Sequence, residues 1–478
     1  MRAMLELPND PTLRQAYRSA LSGQGPGVAG LRRILPTVID FGGLRFEIVD
    51  LPSLTRGFRP AIAGVRTAED GARRAEEQLD ALVLSLEVED AGALERLVEA
   101  ARKVPGASAG IDLPIAAFDS WCPSRDRPAV FHTRDAALSL IRAEALTGHA
   151  PPLEGAGVNV VLVDLGLNRN ALLPGRPQLS LAGGWAVQQG GSPIFKAQPS
   201  GGPFDGHGTM VARNVLALAP RARLFDFPLL PDRVTNVVAW TSWAQAALHQ
   251  VRADIRTWLS LAFPGPWVLC NAWGIYDRRQ EPVPASHPAN YTANPDHPLN
   301  RLVGRIDAED GHDQVFAAGN GGQFCPHPLC GPGDTGPGNS IFGASSHPAV
   351  LTAGAVRADG LWIGYSSQGP GQAAFSAPAE PFSAKPDLCA PSHFVDVEDA
   401  RTPGTGTSAA CGLVAGAVAA LRDGSSPLRG LPTSALRTHL RATARRPDDA
   451  VGDFDLRYGF GILDLGKALS KVGPRGRA

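Results

Sequence analysis

The sequence predicts an α/β protein whose main domain is a doubly wound, mostly parallel sheet, preceded by a small α+β domain. Three observations support this prediction. The run 157–164, GVNVVLVD, is almost continuously apolar and β-branched, as in a parallel strand that is covered on both faces. Further apolar runs alternate with helical patterns, which is typical of βαβ units. Polar residues directly follow several of these runs, and sites in such sheets lie at the carboxyl ends of the strands.

The composition is that of a globular protein with no electrostatic reason to bind polyanions. The chain has 478 residues, of which 44% are hydrophobic and 19% charged, enough for two domains. Its 45 basic and 46 acidic residues give a net charge of −1, so we predict neither nucleic acid nor a membrane as a partner. No run is as apolar and long as a membrane span, and the N-terminus lacks the apolar core of a signal peptide. We therefore predict a cytoplasmic protein, or a secreted one if the sequence lacks its leader.

The N-terminal part is predicted to contain three segments: a tail with a short helix (1–44), a small α+β domain (45–117) and a linker with little periodicity (118–130). Strands and helices alternate within the α+β domain, as in a small sandwich. The predicted strands are 45–50, 59–66, 81–89 and 107–118, and the predicted helices are 68–82 and 91–104.

The main domain is predicted to cover 131–470 and to be followed by a short tail, 471–478. A long helix is predicted at 235–259. No internal repeat is visible. The apolar runs that we predict as buried strands are 157–164, 222–230, 266–273, 313–320 and 349–356.

Four residues at strand ends or helix starts have the side chains of a nucleophilic relay. Asp164 ends the first strand, His207 begins a helix between two glycines, Asn320 follows a strand, and Ser408 begins a helix built of small residues. A serine hydroxyl needs a base to take its proton, and imidazole does this near neutral pH. A buried carboxylate orients the ring, and an amide donates to the developing oxyanion. Each residue alone has an ordinary structural explanation (a cap, a loop histidine, a turn), but the combination favours catalysis.

These residues lie within six ordered motifs, and through them the chain resembles the subtilisin-like serine proteases, or subtilases. The resemblance covers roughly 130–470. The motifs are 207–209 HGT, 317–320 AAGN, 365–370 YSSQGP, 385–391 KPDLCAP, 406–410 GTSAA and 459–469 GFGILDLGKAL.

The resemblance implies a serine endopeptidase that forms an acyl-enzyme on Ser408, with Asp164 and His207 completing the triad and Asn320 in the oxyanion hole, as in subtilisin itself. It also implies that Ala272, Trp273 and Gly274 bind the substrate backbone as an added strand. In the same way, Ala317, Ala318 and Gly319 form part of the wall of the first specificity pocket. The protein partners expected are a protein or peptide substrate and the chain's own N-terminal domain, acting as an inhibitory pro-region or as a retained docking domain.

The chain departs from the family pattern at two places near the site. Leu165 replaces the usual serine or threonine after the aspartate, and Cys411 replaces the usual proline after the serine motif. Neither departure removes a member of the triad. We interpret Cys411 as small core packing.

The remaining cysteines and loops allow several interpretations. Cys325 and Cys330 are close in sequence and fit a small-loop disulfide, a metal site shared with His327, or two reduced thiols. No cofactor and no metal are predicted to be required. Structural calcium is common in the family, but no loop identifies its ligands.

A catalytically silent scaffold is the alternative function. A third interpretation, a phosphate-binding loop at 331–340, fails because this loop lacks the lysine and the helix that such a site requires.

Overall fold

The structure is a computed structural model. It describes residues 1–22, 27–52, 59–60, 77–117, 132–172, 180–185, 187–189, 192–194, 206–230, 238–376, 382–397 and 402–472.

The strands are numbered in chain order. They are β1 Arg2–Pro8, β2 Phe46–Asp50, β3 Arg59–Pro60, β4 Ala81–Val88, β5 Ser108–Ile111, β6 Pro114–Ala117, β7 Asn159–Asp164, β8 Ser180–Gly184, β9 Val187–Gln189, β10 Ser192–Ile194, β11 Arg223–Pro228, β12 Ala239–Trp240, β13 Trp267–Asn271, β14 Trp273–Gly274, β15 Asp313–Ala317, β16 Leu351–Val356, β17 Leu388–Pro391, β18 Phe394–Val397 and β19 Thr402–Gly404.

The helices are numbered in the same way. They are α1 Pro11–Ser22, α2 Gly27–Val38, α3 Ala91–Arg102, α4 Arg134–Leu140, α5 Glu144–Thr147, α6 Arg169–Leu172, α7 His207–Leu218, α8 Thr241–Asp254, α9 Ser260–Ala262, α10 Pro298–Arg305, α11 Gly406–Leu421, α12 Thr433–Thr443 and α13 Leu465–Ser470. Ile255–Leu259 and Ile306–Asp310 are π-helical, and Gly343–Ser346 and Ala373–Phe375 are 3₁₀ turns. Among these helices, none is both long and apolar enough to cross a membrane.

The large sheet has eight strands in the order β17-β16-β15-β13-β7-β11-β8-β3. All neighbours are parallel except β3, which adds antiparallel to β8 at the edge. After β7 the chain first builds one side of the sheet with β8 and β11, and then the other side from β13 to β17. This topology confirms the predicted doubly wound fold, and its switch point lies between β7 and β13, where such sheets place their sites.

The central strand β7 separates two hydrophobic cores. Its six residues are all buried, as expected of a parallel strand covered on both faces. Val161 and Val163 face the core that also contains α8 and α10, whereas Val160 and Leu162 face the core that contains α7 and α11. The period of two in the strand thus distributes one apolar run between two layers of helices.

The N-terminal sheet differs from the prediction at its centre. Its order is β2-β4-β1-β5, with every pair antiparallel, so β1 is a central strand and the predicted tail at the start of the chain is wrong. Arg2 and Glu6 interrupt the apolar pattern of β1, which is why the pattern does not indicate a strand. Both charges are paired: Arg2 Nε donates to Asp112 Oδ2 at 2.7 Å, and Glu6 Oε1 lies 3.0 Å from His249 Nε2.

The predicted closing strand is divided into two strands with different partners. β5 stays in the N-terminal sheet, while β6 leaves it and lies between β12 and β14 of the main domain. Pro114 begins β6, a position where a missing backbone donor is tolerated. The predicted helix 235–259 begins only at Thr241, because Ala239 and Trp240 pair with β6.

The predicted strand 59–66 and helix 68–82 lie mostly outside the described residues, and the predicted linker lies wholly outside them. The predicted domain boundaries stay predictions.

Buried polar contacts join the N-terminal sheet to α8. Asp112 Oδ1 accepts from the backbone N–H of Ser242 at 2.8 Å, so this carboxylate caps the first turn of α8, which has no cap from its own chain segment. Ser85 Oγ donates to Asp112 Oδ2 at 2.8 Å. At the other end of α8, Arg252 Nη1 donates to Asp80 Oδ2 at 2.6 Å. The N-terminal sheet is therefore fixed to both ends of one helix.

His297 makes the junction between the N-terminal sheet and α10 sensitive to pH. The ring is fully buried, its Nδ1 accepts from Leu299 N at 3.2 Å, and its Nε2 donates to Ile111 O at 3.0 Å. Burial lowers the pKa of His297 to about 4. The folded protein favours the neutral ring, and the unfolded chain takes up a proton first, near pH ~6.5. The free energy of unfolding should therefore decrease as the pH falls from about 6.5 to about 4.

Urea unfolding of the wild type and of His297→Asn, at about pH 7 and about pH 4.5, measures this effect. Asparagine can still cap α10 but does not titrate, so the variant should lose less stability on acidification. His312 and His347, whose pKa values burial also lowers to about 4, account for part of the loss that remains. The same acid-induced loss in both proteins would contradict the assignment to His297.

Candidate active site

Asp164 and His207 lie where the sequence predicts them and form a hydrogen-bonded pair. Asp164 ends β7 and is buried, and His207 is the first residue of α7. The Nδ1 atom of His207 lies 2.8 Å from Asp164 Oδ1 and 3.0 Å from Oδ2. Gly208 makes this approach feasible, because a Cβ there would lie 2.6 Å from Gly166 O and 3.2 Å from Asp164 Oδ1.

Ser408 lies in the first turn of α11, after a glycine with a positive φ. Gly406 has φ +72°, its N–H donates to Tyr365 Oη at 3.2 Å, and its carbonyl accepts from Ser392 Oγ at 2.7 Å. Ser408 is fully buried, and its Oγ donates to Ala272 O at 3.1 Å. The turn that presents Ser408 is thus held by two hydroxyl groups from neighbouring segments.

Two glycines bring α11 against α7. A Cβ at Gly412 would lie 2.8 Å from Val211 O, and a Cβ at Gly416 would lie 2.6 Å from Val215 O. One helix turn separates the two contacts on each helix, and both helices run in the same direction. The small residues of α11 therefore allow backbone contact between the two helices that begin with His207 and near Ser408.

Gly416→Ala should destabilise the protein by about 1–3 kcal/mol, because the new Cβ would meet the backbone of Val215 and the helices must move apart. Gly430→Ala is the matched control, since nothing lies within 4 Å of a Cβ at Gly430. Urea unfolding of both variants measures the difference. Equal stabilities would show that the packing of α11 on α7 tolerates a methyl group.

Asn320 is oriented by the residue before Ser408. Its Oδ1 accepts from Thr407 N at 2.9 Å and from Thr407 Oγ1 at 3.1 Å, so the amide NH₂ is turned to the opposite side. Thr407 Oγ1 in turn accepts from Gly319 N at 3.1 Å. Gly319 has φ +108°, and a Cβ there would lie 2.8 Å from Ser367 Oγ.

The other predicted binding residues line the same region. Ala317 ends β15, and Ala317, Ala318 and Gly319 are buried. Ala272 lies between β13 and β14 and contacts Ser408 through its carbonyl. Trp273 is buried against Phe316, with ring centroids 5.7 Å apart, so its indole belongs to the core and only its backbone faces the edge of β14.

Strand β6 of the N-terminal part occupies this edge. Ala117 pairs with Trp273 and Ala116 with Gly274, while Ile115 pairs with Ala239 on the other side. The three-stranded antiparallel sheet β12-β6-β14 therefore places a segment of the chain itself along two of the three residues predicted to bind a substrate backbone.

The structure decides between the interpretations of the cysteines. Cys325 is disulfide-bonded and Cys330 is free, so a Cys325–Cys330 disulfide is ruled out. No group of three metal-binding side chains occurs in the part of the chain that the structure describes. Cys411 is a free thiol and is fully buried. Its Sγ lies 3.8 Å from Cys270 Sγ and 3.6 Å from Asn271 O, as expected of core packing.

A family model described as the subtilase family matches residues 155–461, more than half of the sequence. The chain belongs to the subtilase family. This subtilase is accordingly a serine protease and a hydrolase. The matched range contains every residue that the sequence analysis assigned to the site.

Relatives of this subtilase include Mycosin-1 from Mycobacterium tuberculosis (strain ATCC 25618 / H37Rv). The two are 27% identical over an alignment of 348 residues, and the alignment covers 68% of this chain and 71% of the relative. Among solved structures, MycP1 from Mycobacterium smegmatis is 20% identical, with a TM-score of 0.44 over 76% of this chain and 91% of the other. MycP1 with the N-terminal propeptide removed is 21% identical, with a TM-score of 0.45 over 71% and 98% of the two chains.

Sequence reasoning about this subtilase missed two groups near the site. Thr407 lies inside the serine motif, directly before Ser408, and this position is the sequence signal that could have identified it. Tyr276 follows β14 by two residues, and its hydroxyl donates to Ala117 O at 3.0 Å. No pattern around Tyr276 indicates this contact.

Proposed function

We propose that the protein hydrolyses peptide bonds through an acyl-enzyme on Ser408. In this mechanism His207 takes the proton from Ser408 Oγ as the oxygen attacks the carbonyl carbon, and then gives it to the leaving amine. Water, deprotonated by the same ring, releases the acyl group. Asp164 holds the ring in the tautomer with Nδ1–H and stabilises the imidazolium. The mechanism calls on no cofactor.

The observation that carries this proposal is the register of α7 and α11. Val211 contacts Gly412, and Val215 contacts Gly416 one turn further along both helices. One turn towards the N-termini from the first of these pairs lie His207 and Ser408. The packing thus supports Ser408 and His207 as the pair of nucleophile and base, with Asp164 hydrogen-bonded to the Nδ1 side of the His207 ring.

Asn320 is the proposed oxyanion donor together with the backbone N–H of Ser408. Thr407 fixes the carbonyl side of the Asn320 amide, which turns the NH₂ to the other side, and there it is proposed to donate to the substrate oxygen. Donors fixed in this way need no reorganisation when charge develops on that oxygen. Thr407 is therefore a positioning residue for Asn320.

The N-terminal part is proposed to restrain the protease by occupying its substrate-binding edge. β6 pairs with Trp273 and Gly274 on one side and with β12 on the other, as an extended substrate would. Ser408 and Asp164 are buried in this arrangement. Because β6 runs antiparallel to β14, the chain beyond Ala117 proceeds towards Ala272, and self-cleavage would fall in the segment after Ala117.

Labelling with a fluorophosphonate tests the proposed chemistry, because the reagent reacts with an activated serine and releases fluoride. The full chain, Ser408→Ala and Ile115→Asp would be compared by intact mass. Ile115→Asp places a charge at a buried position of β6 and should free the edge of β14.

A single adduct on the wild type or on Ile115→Asp, and none on Ser408→Ala, supports the proposal. An adduct on Ile115→Asp alone further supports restraint by β6. If neither protein with an intact Ser408 gains mass, Ser408 is not activated and the silent scaffold becomes the better account.

A further inference from the structure

We infer that Tyr276 is a substrate-binding residue, which donates a hydrogen bond from its hydroxyl to the backbone carbonyl of the peptide residue that pairs with Trp273. This inference rests on the proposed function and specifies how that site holds its substrate. The class of substrate that it implies is an extended peptide segment recognised at this position through its backbone.

The geometry comes from β6, which stands where a substrate strand would lie. Ala117 pairs with Trp273, and Tyr276 Oη donates to Ala117 O at 3.0 Å. The tyrosine is buried, so this bond lies in a region from which water is largely excluded. A peptide that replaces β6 between β12 and β14 presents a carbonyl at the same place, because ladder pairing fixes the register.

Tyr276 is also joined to the loop that holds Asn320. Its ring stacks on His327, with centroids 4.6 Å apart and planes at 30°. The backbone N–H of His327 donates to Asn320 O at 2.8 Å, and Gly331 N donates to Tyr276 O at 3.0 Å. The group that binds the peptide carbonyl is therefore positioned by the same loop that carries the proposed oxyanion donor.

A bond to a backbone carbonyl has a recognisable effect on specificity. Every peptide residue carries this carbonyl, so the bond contributes to binding regardless of the side chain at that position. Loss of one neutral hydrogen bond corresponds to roughly a threefold to tenfold change in an equilibrium constant. Removing the Tyr276 hydroxyl should therefore weaken binding by a similar factor for peptides that differ only at that residue.

Hydrogen exchange of the full chain gives the first test, in a Ser408→Ala background that prevents self-cleavage. The amides of Leu113 and of residues 115–117 should exchange about three to ten times faster in Tyr276→Phe than in the parent, and Pro114 has no amide hydrogen. Tyr458→Phe is the matched control, because its hydroxyl donates to Asp449 Oδ2 and accepts from Trp362 N, and neither residue belongs to the β12-β6-β14 sheet. Thermal unfolding of both variants shows whether they fold equally well. Unchanged exchange of 113–117 in a folded Tyr276→Phe would overturn the inference.

Peptide hydrolysis gives the second test, in the full chain with Ile115→Asp. The probe is a quenched fluorescent peptide with the sequence of residues 114–119, together with versions in which valine or leucine replaces the residue that corresponds to Ala117. Adding Tyr276→Phe should raise KM about threefold to tenfold for all of them, with kcat changed less than about twofold. An effect on one peptide only, or on kcat alone, would overturn the inference.

The two proposals fail in different ways. If neither the wild type nor Ile115→Asp hydrolyses the peptide or takes up the fluorophosphonate, the proposed function fails, and the exchange of the β6 amides still decides whether Tyr276 holds a strand at this edge. If labelling succeeds and neither the exchange nor KM responds to Tyr276→Phe, the proposed function stands and the role of Tyr276 is excluded.

Discussion

Replacement of Ser408 by alanine should lower kcat for peptide hydrolysis by about a million-fold, the size of effect known for subtilisin, the namesake of this family. Alanine removes the atom that would attack the carbonyl carbon and leaves the binding edge intact, so KM should change little. The loss of rate is this large because the nucleophile, the base and the carboxylate act together in the same catalytic step. The measurement is the initial rate of hydrolysis of a quenched peptide, in the full chain that carries Ile115→Asp.

Two comparisons make this result specific. Ser408→Ala combined with His207→Ala should be no slower than Ser408→Ala alone, because both changes remove the same step. Ser434→Ala, at an exposed position in the first turn of α12, should leave kcat unchanged. A Ser408→Ala enzyme with more than about a hundredth of the wild-type rate would show that another group carries the reaction.

Asp387→Asn should lower the free energy of unfolding by about 3–5 kcal/mol, because it leaves two buried or half-buried cations without their carboxylate. Asp387 is fully buried and accepts from Lys385 Nζ at 2.6 Å, from Arg441 Nε at 2.5 Å and from Thr352 N at 2.6 Å. Burial alone would raise the pKa of Asp387, but Arg441 and Lys385 outweigh it and lower the pKa. Burial lowers the pKa of Lys385 to about 8 despite the carboxylate.

Urea unfolding near neutral pH measures the loss. Asp453→Asn is the matched control, since it removes the same charge from an exposed position and should change stability by less than about 0.5 kcal/mol. Asp387→Asn combined with Lys385→Met should be more stable than Asp387→Asn alone, because the unpaired ammonium is gone. A loss in Asp387→Asn no larger than in the control would mean that the ion cluster contributes nothing net.

The sequence was sufficient for five of the eight strands of the large sheet (β7, β11, β13, β15 and β16) and for the polar residues at its edge. An apolar run such as β7 that ends in Asp164 identifies both the strand and the side chain at its carboxyl end, because a buried carboxylate needs a partner. The sequence also shows that the helix after Ser408 is built of small residues, and Gly412 and Gly416 are where that helix approaches the backbone of α7. These predictions worked because each depends on residues that are near one another in the chain.

What the sequence could not predict depends on distant partners. β1 contains Arg2 and Glu6, whose partners Asp112 and His249 lie 110 and 243 residues away. Without these partners the charges indicate an exposed segment, so the central strand was predicted as a tail. Tyr276 was missed for the same reason, since the carbonyl that it contacts lies 159 residues earlier in the chain.

The core that extends from the N-terminal sheet to α8 has a consequence for what a cut after Ala117 would achieve. Leu84 and Leu86 of β4 belong to the same buried cluster as Trp243 and Leu248 of α8. A cleaved backbone leaves that apolar contact, the Asp112 cap and the Asp80–Arg252 pair in place, so the two pieces should stay associated. A nicked molecule would run as two bands on a denaturing gel and as one species in gel filtration. β6 would stay between β12 and β14 until the core shared by the N-terminal sheet and α8 unfolds.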